Sequence, residues 1–332
     1  MTIGIGLIGA SRIARDTMIP AMRNHPECEV VSVFSSNPER GKTYAAENNI
    51  PHAASSLTEL LADTDVHAVY ISTTNELHHQ QVLAAAKAGK HILCEKPLAM
   101  NLNESQEMIT ACHEAGVVLA TNHQLRVGDG ICKMRALISE GAIGKPLAAR
   151  VFHAVYLPDY LQGWRLNNPS AGAGVVLDIV VHDIDMLRCV LNAEPTEVVS
   201  LSQHAGLATH DMVEDGNMAV FRFDNDLIAQ VHTAFTTRYA DNGIEVHGSE
   251  GSLIINNVLG RELSDPVILK NAEGEQQFEL TQHSIDDKTI YLFIDAIQGQ
   301  GEPGCSGEDG ERSLAAALAC LESARTGNRI EI

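Results

Sequence analysis

The N-terminal part of the chain alternates short apolar, β-branched runs with longer segments of helical periodicity. The runs lie at Ile3 to Ile8, Glu29 to Phe34, Ala68 to Ser72, His91 to Cys94 and Val117 to Ala120. The segments between them lie at Arg12 to His25, Glu39 to Asn48, Glu76 to Ala88 and Leu102 to Ala115. This alternation is typical of βαβ units, whose right-handed crossovers make the sheet parallel. We therefore predict a doubly wound α/β fold with a ligand site at the edge where its strands end.

Beyond about residue 145 the rhythm changes to longer runs of alternating character. These runs lie at Ala148 to Tyr156, Thr196 to Gln203, Asn217 to Phe223, Leu227 to Phe235, Gly243 to Gly248 and Gly251 to Asn256. Alternation between hairpin-like turns predicts an open, mainly antiparallel sheet, and helices are expected over 175–191 and near the C-terminus. Since 332 residues exceed one ordinary core, we predict two domains, residues 1–121 and an α+β domain of residues 122–332.

Composition excludes several classes of function. The net charge of −20, from 23 basic and 43 acidic residues, argues against nucleic-acid partners and anionic membranes. No apolar run approaches the roughly 18 residues that span a bilayer. Seven cysteines without a CxxC pair argue against disulfides and a cysteine-rich zinc site. The N-terminus reads as a strand rather than a charged leader, so a cytoplasmic location is expected.

The first strand ends in the sequence GLIGASRIAR, which partly matches the dinucleotide fingerprint G-x-G-x-x-G. Gly9, Ser11 and Ala14 stand at its three glycine positions, so only the first glycine is kept. The context is what the mechanism requires, because a strand precedes the turn and an apparent helix follows it. We predict a pyrophosphate-binding turn here; the alternative is an ordinary strand-to-helix connection.

The residues after the second strand indicate which dinucleotide would bind. Ser35, Ser36 and Arg40 stand where an NAD-binding fold places a carboxylate against the ribose hydroxyls. Two hydroxyls and a guanidinium favour a 2′-phosphate, which a carboxylate would repel. The sequence therefore predicts NADP(H), unless Arg40 is simply a solvated helix residue.

Two further groups of residues carry chemistry. Glu95, Lys96 and Pro97 end a predicted buried strand, where Lys96 could reach a substrate oxygen; the alternative is a surface turn with a solvated ion pair. Asp178 and His182 are spaced i, i+4 on a predicted helix and share a face, so they form either a satisfied core pair or an acid/base couple. No further metal ligands accompany them, so no metal is predicted.

The stretches STTNELH, LCEKPLAM, TNH, LQGWRL and LDI together resemble the glucose-fructose oxidoreductase and inositol dehydrogenase family. The resemblance runs through most of the chain and implies a Rossmann domain followed by a domain with an open sheet. It also implies a cofactor site, whose residues would be Gly9, Ala10, Ser11, Arg12, Ile13, Ser35, Ser36, Arg40, Ser72, Thr73, Thr74, Asn75, His78, Glu95, Lys96, Asn122, Trp164 and Arg165.

The predicted activity is NADPH-dependent reduction of a ketone on a sugar ring. His182 is the expected general acid, Lys96 would polarise the carbonyl, and Asp178 would orient the sugar or His182. The substrate-contacting residues are predicted as Lys96, His123, His153, Tyr156, Asp178 and His182. A dehydrogenase of another sugar or an inositol, and a non-catalytic NADP-binding sensor, remain as alternatives. The open sheet face is a candidate surface for self-association.

Overall fold

The computed structural model describes residues 2–260 and 264–332, which divide into two compact units. The first unit runs up to Gln124 and also contains Ser284–Glu311; the second contains Leu125–His283 and Arg312–Ile332. Among the described residues no helix is both long and apolar enough to cross a membrane.

The first unit contains a six-stranded parallel sheet in the order β3-β2-β1-β4-β5-β6. Its strands are β1 (Ile3–Ile8), β2 (Cys28–Phe34), β3 (His52–Ala54), β4 (Ala68–Ile71), β5 (His91–Cys94) and β6 (Leu119–Thr121). Its helices are α1 (Ile19–Asn24, preceded by a π-helical segment Ala14–Met18), α2 (Pro38–Glu47), α3 (Leu57–Ala62), α4 (His78–Lys87), α5 (Leu102–Ala115) and, after the second unit's first segment, α9 (Ile285–Ile297). The predicted doubly wound α/β fold is confirmed.

Strand β1 is buried along its whole length, and its glycine at position 4 allows a neighbouring segment to pack closely against it. A Cβ added at Gly4 would lie 1.9 Å from the Asp65 carbonyl oxygen, so the neighbouring chain packs directly on the bare backbone. No pattern in the sequence predicts strand β3, because it has only three residues and His52 is exposed.

The second unit contains a nine-stranded sheet in the order β14-β13-β12-β11-β7-β10-β9-β8-β15. The strands are β7 (Pro146–Ala154), β8 (Pro195–Gln203), β9 (Gly216–Phe223), β10 (Ile228–Ala234), β11 (Gly243–Gly248), β12 (Gly251–Asn256), β13 (Val267–Asn271), β14 (Gly274–Phe278) and β15 (Ile330–Glu331). The helices are α6 (Asp129–Ser139), α7 (Trp164–Asn167) and α8 (Val181–Leu191, preceded by a π-helical segment Val176–Val180), and α10 (Gly307–Thr326) ends in this unit. Among the strands that the structure describes, only β7 and β10 pair in parallel, so the sheet is mainly antiparallel as predicted.

One face of this sheet remains exposed. The large apolar side chains of Val199, Leu201, Met218 and Val220 lie on it, and Leu201 is 72% exposed. The residues that alternate with them along the strands, such as Ser200, are buried on the other face. The Ser200 backbone N–H donates to the Ser323 hydroxyl of helix α10. The alternation in the sequence thus corresponds to one covered face and one open face.

The change of rhythm along the sequence predicts that all residues after 121 belong to the second domain, but helix α9 packs in the first unit. Ile290, Phe293 and Ile294 of α9 belong to the same buried cluster as Met18 and Ile19. An amphipathic pattern shows that a helix buries one face, yet it does not show which sheet or helix receives that face.

The core of the second unit contains a buried ionic cluster. Arg188 donates through Nη1 to Ser313 Oγ at 2.9 Å, and the Ser313 hydroxyl donates to Asp185 Oδ1 at 3.1 Å. Arg126 donates through Nε to Asp185 Oδ2 at 2.9 Å, and Arg188 also contacts the carboxylate of Glu194. The charges are therefore compensated inside the protein.

We expect Arg188→Met to lower the free energy of unfolding by about 3 kcal/mol, because it leaves buried acceptors without their guanidinium. Arg222→Met is the matched control: its exposed ion pairs with Glu197 and Asp226 should contribute less than about 1 kcal/mol. Urea unfolding of both variants measures the difference. Equal losses would contradict a special role for the buried cluster.

Candidate functional site

The glycine-rich turn has the geometry that close approach of a pyrophosphate requires. Gly9 has φ 111°, and a Cβ added there would lie 3.1 Å from the Ser72 carbonyl oxygen. The turn follows β1 and leads into a helix, so backbone N–H groups lie at its start. The residues present therefore fit a dinucleotide at this edge of the sheet.

Ser11, which replaces the second glycine of the fingerprint, stabilises the turn through its side chain. Its hydroxyl accepts from the Ala14 N–H at 3.1 Å and lies 2.7 Å from the Ser72 hydroxyl. The Tyr44 hydroxyl donates to the Ser11 carbonyl at 2.8 Å, and burial raises the pKa of Tyr44 to about 12. Sequence reasoning missed Tyr44, whose only signal was an aromatic residue on the buried side of helix α2.

Arg40 lies beside this turn rather than pointing away from it. Its Nη2 donates to the Ala10 carbonyl at 2.6 Å, and its backbone N–H donates to the Asn37 side chain that caps helix α2. The Ser35 hydroxyl is buried and accepts from the Asn37 N–H at 3.3 Å, whereas Ser36 is exposed. The structure thus brings the three predicted phosphate-selecting residues to one end of β2.

The Glu-Lys-Pro turn follows β5 at the same edge of the sheet, and its Lys96–Pro97 peptide bond is cis. Glu95 Oε1 accepts from the Tyr70 hydroxyl and, at 2.7 Å, from Asn122 Nδ2. The Glu95 carboxylate is therefore held by neutral donors from β4 and the end of β6. These two hydrogen bonds offset the cost of placing the Glu95 carboxylate at the end of a buried strand.

The predicted cofactor loop 72–78 is anchored by its own side chains. The Thr73 hydroxyl donates to Gln81 Oε1 at 2.7 Å, and His78 Nδ1 lies 3.0 Å from the Pro97 carbonyl. His78 is fully buried at the start of helix α4, and burial lowers its pKa. Because a carbonyl oxygen can only accept, His78 Nδ1 is the donor in this contact, which ties the loop to the Glu-Lys-Pro turn.

The remaining predicted cofactor residues of the first unit flank these groups. Arg12 is exposed and pairs with Asp16 at 2.9 Å, and Thr74 donates to Glu76 at 2.9 Å. Asn75 is buried, and Ile13 is half-buried. His123, predicted to contact substrate, is 2% exposed and follows Asn122 directly.

In the second unit, Asp178 and His182 lie on one continuous helix, as the spacing predicts. Its start is the π-helical segment Val176–Val180, a wide turn of the kind often found at functional sites. Arg165 donates through Nε to Asp178 Oδ2 at 3.3 Å, and its guanidinium lies 4.7 Å from the Trp164 ring centroid. Trp164, Arg165 and Asp178 therefore form one cluster, with His182 one turn along the helix and 8% exposed.

Two other predicted substrate residues have partners that the sequence did not reveal. His153 Nδ1 lies 2.7 Å from Asp183 Oδ1, and both side chains are buried. The Arg238 guanidinium stacks 3.3 Å from the centroid of the Tyr156 ring. These contacts orient His153 and Tyr156.

No metal-ligand cluster accompanies these residues. Across residues 2–260 and 264–332, no group of three or more His, Cys, Asp or Glu side chains is placed to hold a metal ion. Burial raises the pKa of the thiols of Cys28, Cys112 and Cys320 to about 12, so these cysteines are protonated core residues.

Comparison with known proteins agrees with this organisation. Residues 3–123 match a model of an oxidoreductase family with an NAD-binding Rossmann fold, and residues 131–254 match the GFO/IDH/MocA C-terminal domain. The chain is 54% identical to 1,5-anhydro-D-fructose reductase of Ensifer adhaerens over 98% of both chains. It is 30% identical to levoglucosan dehydrogenase of Pseudarthrobacter phenanthrenivorans over 76% of this chain and 73% of that one.

Solved structures show the same architecture. Levoglucosan dehydrogenase in complex with NADH and levoglucosan superimposes with a TM-score of 0.87 and 26% identity, and both chains are covered completely. Aldose-aldose oxidoreductase from Caulobacter crescentus has a TM-score of 0.91 at 23% identity, again over the whole of both chains, and shows the fold alone. The first unit therefore binds a nicotinamide cofactor, and the chain belongs to the Gfo/Idh/MocA family of oxidoreductases.

Proposed function

We propose that this protein reduces 1,5-anhydro-D-fructose to 1,5-anhydro-D-mannitol with NADPH. The observation that carries the proposal is the 54% identity to 1,5-anhydro-D-fructose reductase over 98% of both chains. The family likeness alone supports hydride chemistry on a sugar, whereas this full-length similarity also favours a particular ring. When bound, NADPH supplies the hydride for the ketone carbon.

The preference for NADPH rests on the end of strand β2. A guanidinium and two hydroxyls can hold the 2′-phosphate, and the hydrogen bond from Arg40 to Ala10 already directs the guanidinium to the turn. Each hydrogen bond to a charged phosphate contributes about 1.5–3 kcal/mol.

On the second unit, His182 is the proposed general acid that protonates the developing alkoxide. General acid catalysis of this kind contributes about 100- to 10,000-fold to the rate. Asp178 is held by Arg165, and that ion pair fixes the carboxylate for orienting a sugar hydroxyl or the His182 ring. His153 and Tyr156, each held by its own partner, are proposed to contact the sugar.

On the first unit, Lys96 is proposed to donate a hydrogen bond to the substrate carbonyl oxygen. The carboxylate of the preceding residue, Glu95, is held in place by hydrogen bonds from Tyr70 and Asn122. The hydrogen bond between His78 and Pro97 fixes the turn that carries Lys96. Lys96 therefore lies between two residues, Glu95 and Pro97, that hydrogen bonds hold in place.

A second candidate is oxidation or reduction of another sugar or of an inositol. The chain is 28% identical to myo-inositol 2-dehydrogenase of Thermotoga maritima over 97% of its length and 94% of that protein. A non-catalytic NADP-binding sensor is the third candidate, and it would not require Lys96 or His182.

The exposed apolar row on the open sheet face is also a proposed surface for self-association.

The cofactor proposal predicts a selective effect of Arg40→Ala. The KM for NADPH should rise about 10- to 100-fold because the 2′-phosphate loses its guanidinium, whereas the KM for NADH should change less than about 2-fold. Lys42→Ala, a charge removal on the same helix, is the control and should affect neither KM. Equal losses with both cofactors would show that Arg40 does not select the phosphate.

The substrate proposal predicts oxidation of NADPH, followed at 340 nm, with 1,5-anhydro-D-fructose in a panel of keto-sugars and inositols. We expect Lys96→Ala and His182→Ala to lower kcat by at least about 100-fold. His79→Ala, which alters a surface pair with Glu107, should retain activity. Turnover of another panel member alone would reassign the substrate, and binding of NADPH without any turnover would favour the sensor.

A further inference from the structure

Glu214 is a buried carboxylate that the proposed reaction does not use. It lies in the connection before strand β9 and is 6% exposed. Burying a carboxylate costs free energy unless it forms hydrogen bonds, so the hydrogen-bond partners of Glu214 indicate its structural role. Those partners lie at the start of the helix that carries Asp178 and His182.

Two consecutive backbone amides of that helix bind Glu214. The Val176 N–H donates to Glu214 Oε1 at 2.9 Å, and the Val175 N–H donates to the Glu214 backbone carbonyl at 3.1 Å. These amides begin the helix and have no earlier carbonyl within it to bind. A negative charge is also favoured at this end of a helix.

Gly174 brings the carboxylate close to the turn that carries Asp178. A Cβ added at Gly174 would lie 2.3 Å from Glu214 Oε1, and φ at this glycine is 111°. The Gly174 carbonyl accepts from the Asp178 N–H at 3.2 Å, while the Gly174 N–H donates to the Arg165 carbonyl at 3.0 Å. The contacts of Glu214 therefore reach the same turn as the Arg165–Asp178 ion pair.

The Glu214 carboxyl group also has a pKa near neutral pH. The pKa of Glu214 is raised from 4.5 to about 7, mainly by burial; the nearby Asp215 carboxylate contributes to this rise, and the Val176 N–H and His204 oppose it. Asp215 itself is committed elsewhere, since its carboxylate accepts from the backbone N–H groups of Ala205, Leu207 and Ala208. Asp215 thus orders a different loop.

We infer that Glu214 is a positioning residue that holds the first turn of the Asp178–His182 helix, and that its protonation weakens this hold. The ionised carboxylate makes a charge-assisted hydrogen bond to Val176, and the neutral acid makes a weaker one. Glu214 acts on catalysis only through the placement of Asp178, so the catalytic consequence rests on the proposed function. The structural link between Glu214 and the helix does not.

The structural link is tested by the amide signal of Val176 in NMR spectra recorded from pH 5 to 9. In the wild-type protein this signal should shift with a midpoint near the pKa of Glu214, about 7. In Glu214→Gln the shift should disappear, and in the control Asp215→Asn it should remain. A wild-type Val176 signal that does not move, or one that still titrates in Glu214→Gln, would overturn the inference.

Stability supplies a second readout with a defined sign. Because the pKa of Glu214 is higher in the folded than in the unfolded state, folding binds a proton between about pH 4.5 and 7. This contribution is present at low pH and is lost as pH rises through the folded pKa. The wild-type unfolding free energy should therefore fall more steeply over this range than that of Glu214→Gln; parallel curves would contradict the assignment.

The catalytic consequence is tested by kinetics. Glu214→Ala should lower kcat/KM for the sugar about 10- to 100-fold through misplacement of Asp178, with the KM for NADPH unchanged. Glu214→Gln, which keeps an acceptor oxygen, should restore most of this loss and flatten the pH profile near 7. Full activity of Glu214→Ala would overturn the positioning role. Absence of wild-type turnover would reject the proposed function, while the Val176 titration would still decide the link.

Discussion

Burial of polar groups at the ends of parallel strands is the constraint on which the candidate site depends. Strand ends bring backbone groups and side chains to one edge, where each buried group needs a partner. Ser11 with Ser72, Glu95 with Tyr70 and Asn122, and the Pro97 carbonyl with His78 meet this need. The hydrogen bonds that satisfy the edge also make it rigid, so a cofactor meets a preorganised surface.

The second unit solves a related problem with one helix. Its first turn is widened into a π-helical segment. Glu214 accepts a hydrogen bond from the Val176 amide of this turn, and Arg165 donates to the Asp178 carboxylate. Farther along, Asp183 pairs with His153 and Asp185 with Arg126. Asp178, Asp183 and Asp185 of this helix thus each have a basic partner of their own.

Similarity to known oxidoreductases and the geometry of the site supply different kinds of support. The family match establishes the fold and the nicotinamide cofactor, whereas the choice of NADPH rests on Arg40 and its hydrogen bond at the glycine-rich turn. The identity of the sugar rests on the full-length likeness to one reductase. Each proposal therefore depends on a different observation and can fail independently.

The sequence by itself determined the parallel sheet, the open antiparallel sheet and the helix that carries Asp178 and His182, because periodicity reports which faces are buried. It also placed the glycine-rich turn and the Glu-Lys-Pro turn at strand ends. Only the tertiary structure showed that helix α9 packs in the first unit, that Asp183 binds His153, and that Glu214 holds the start of a helix. These contacts join residues far apart in the chain, and no local periodicity encodes such partners.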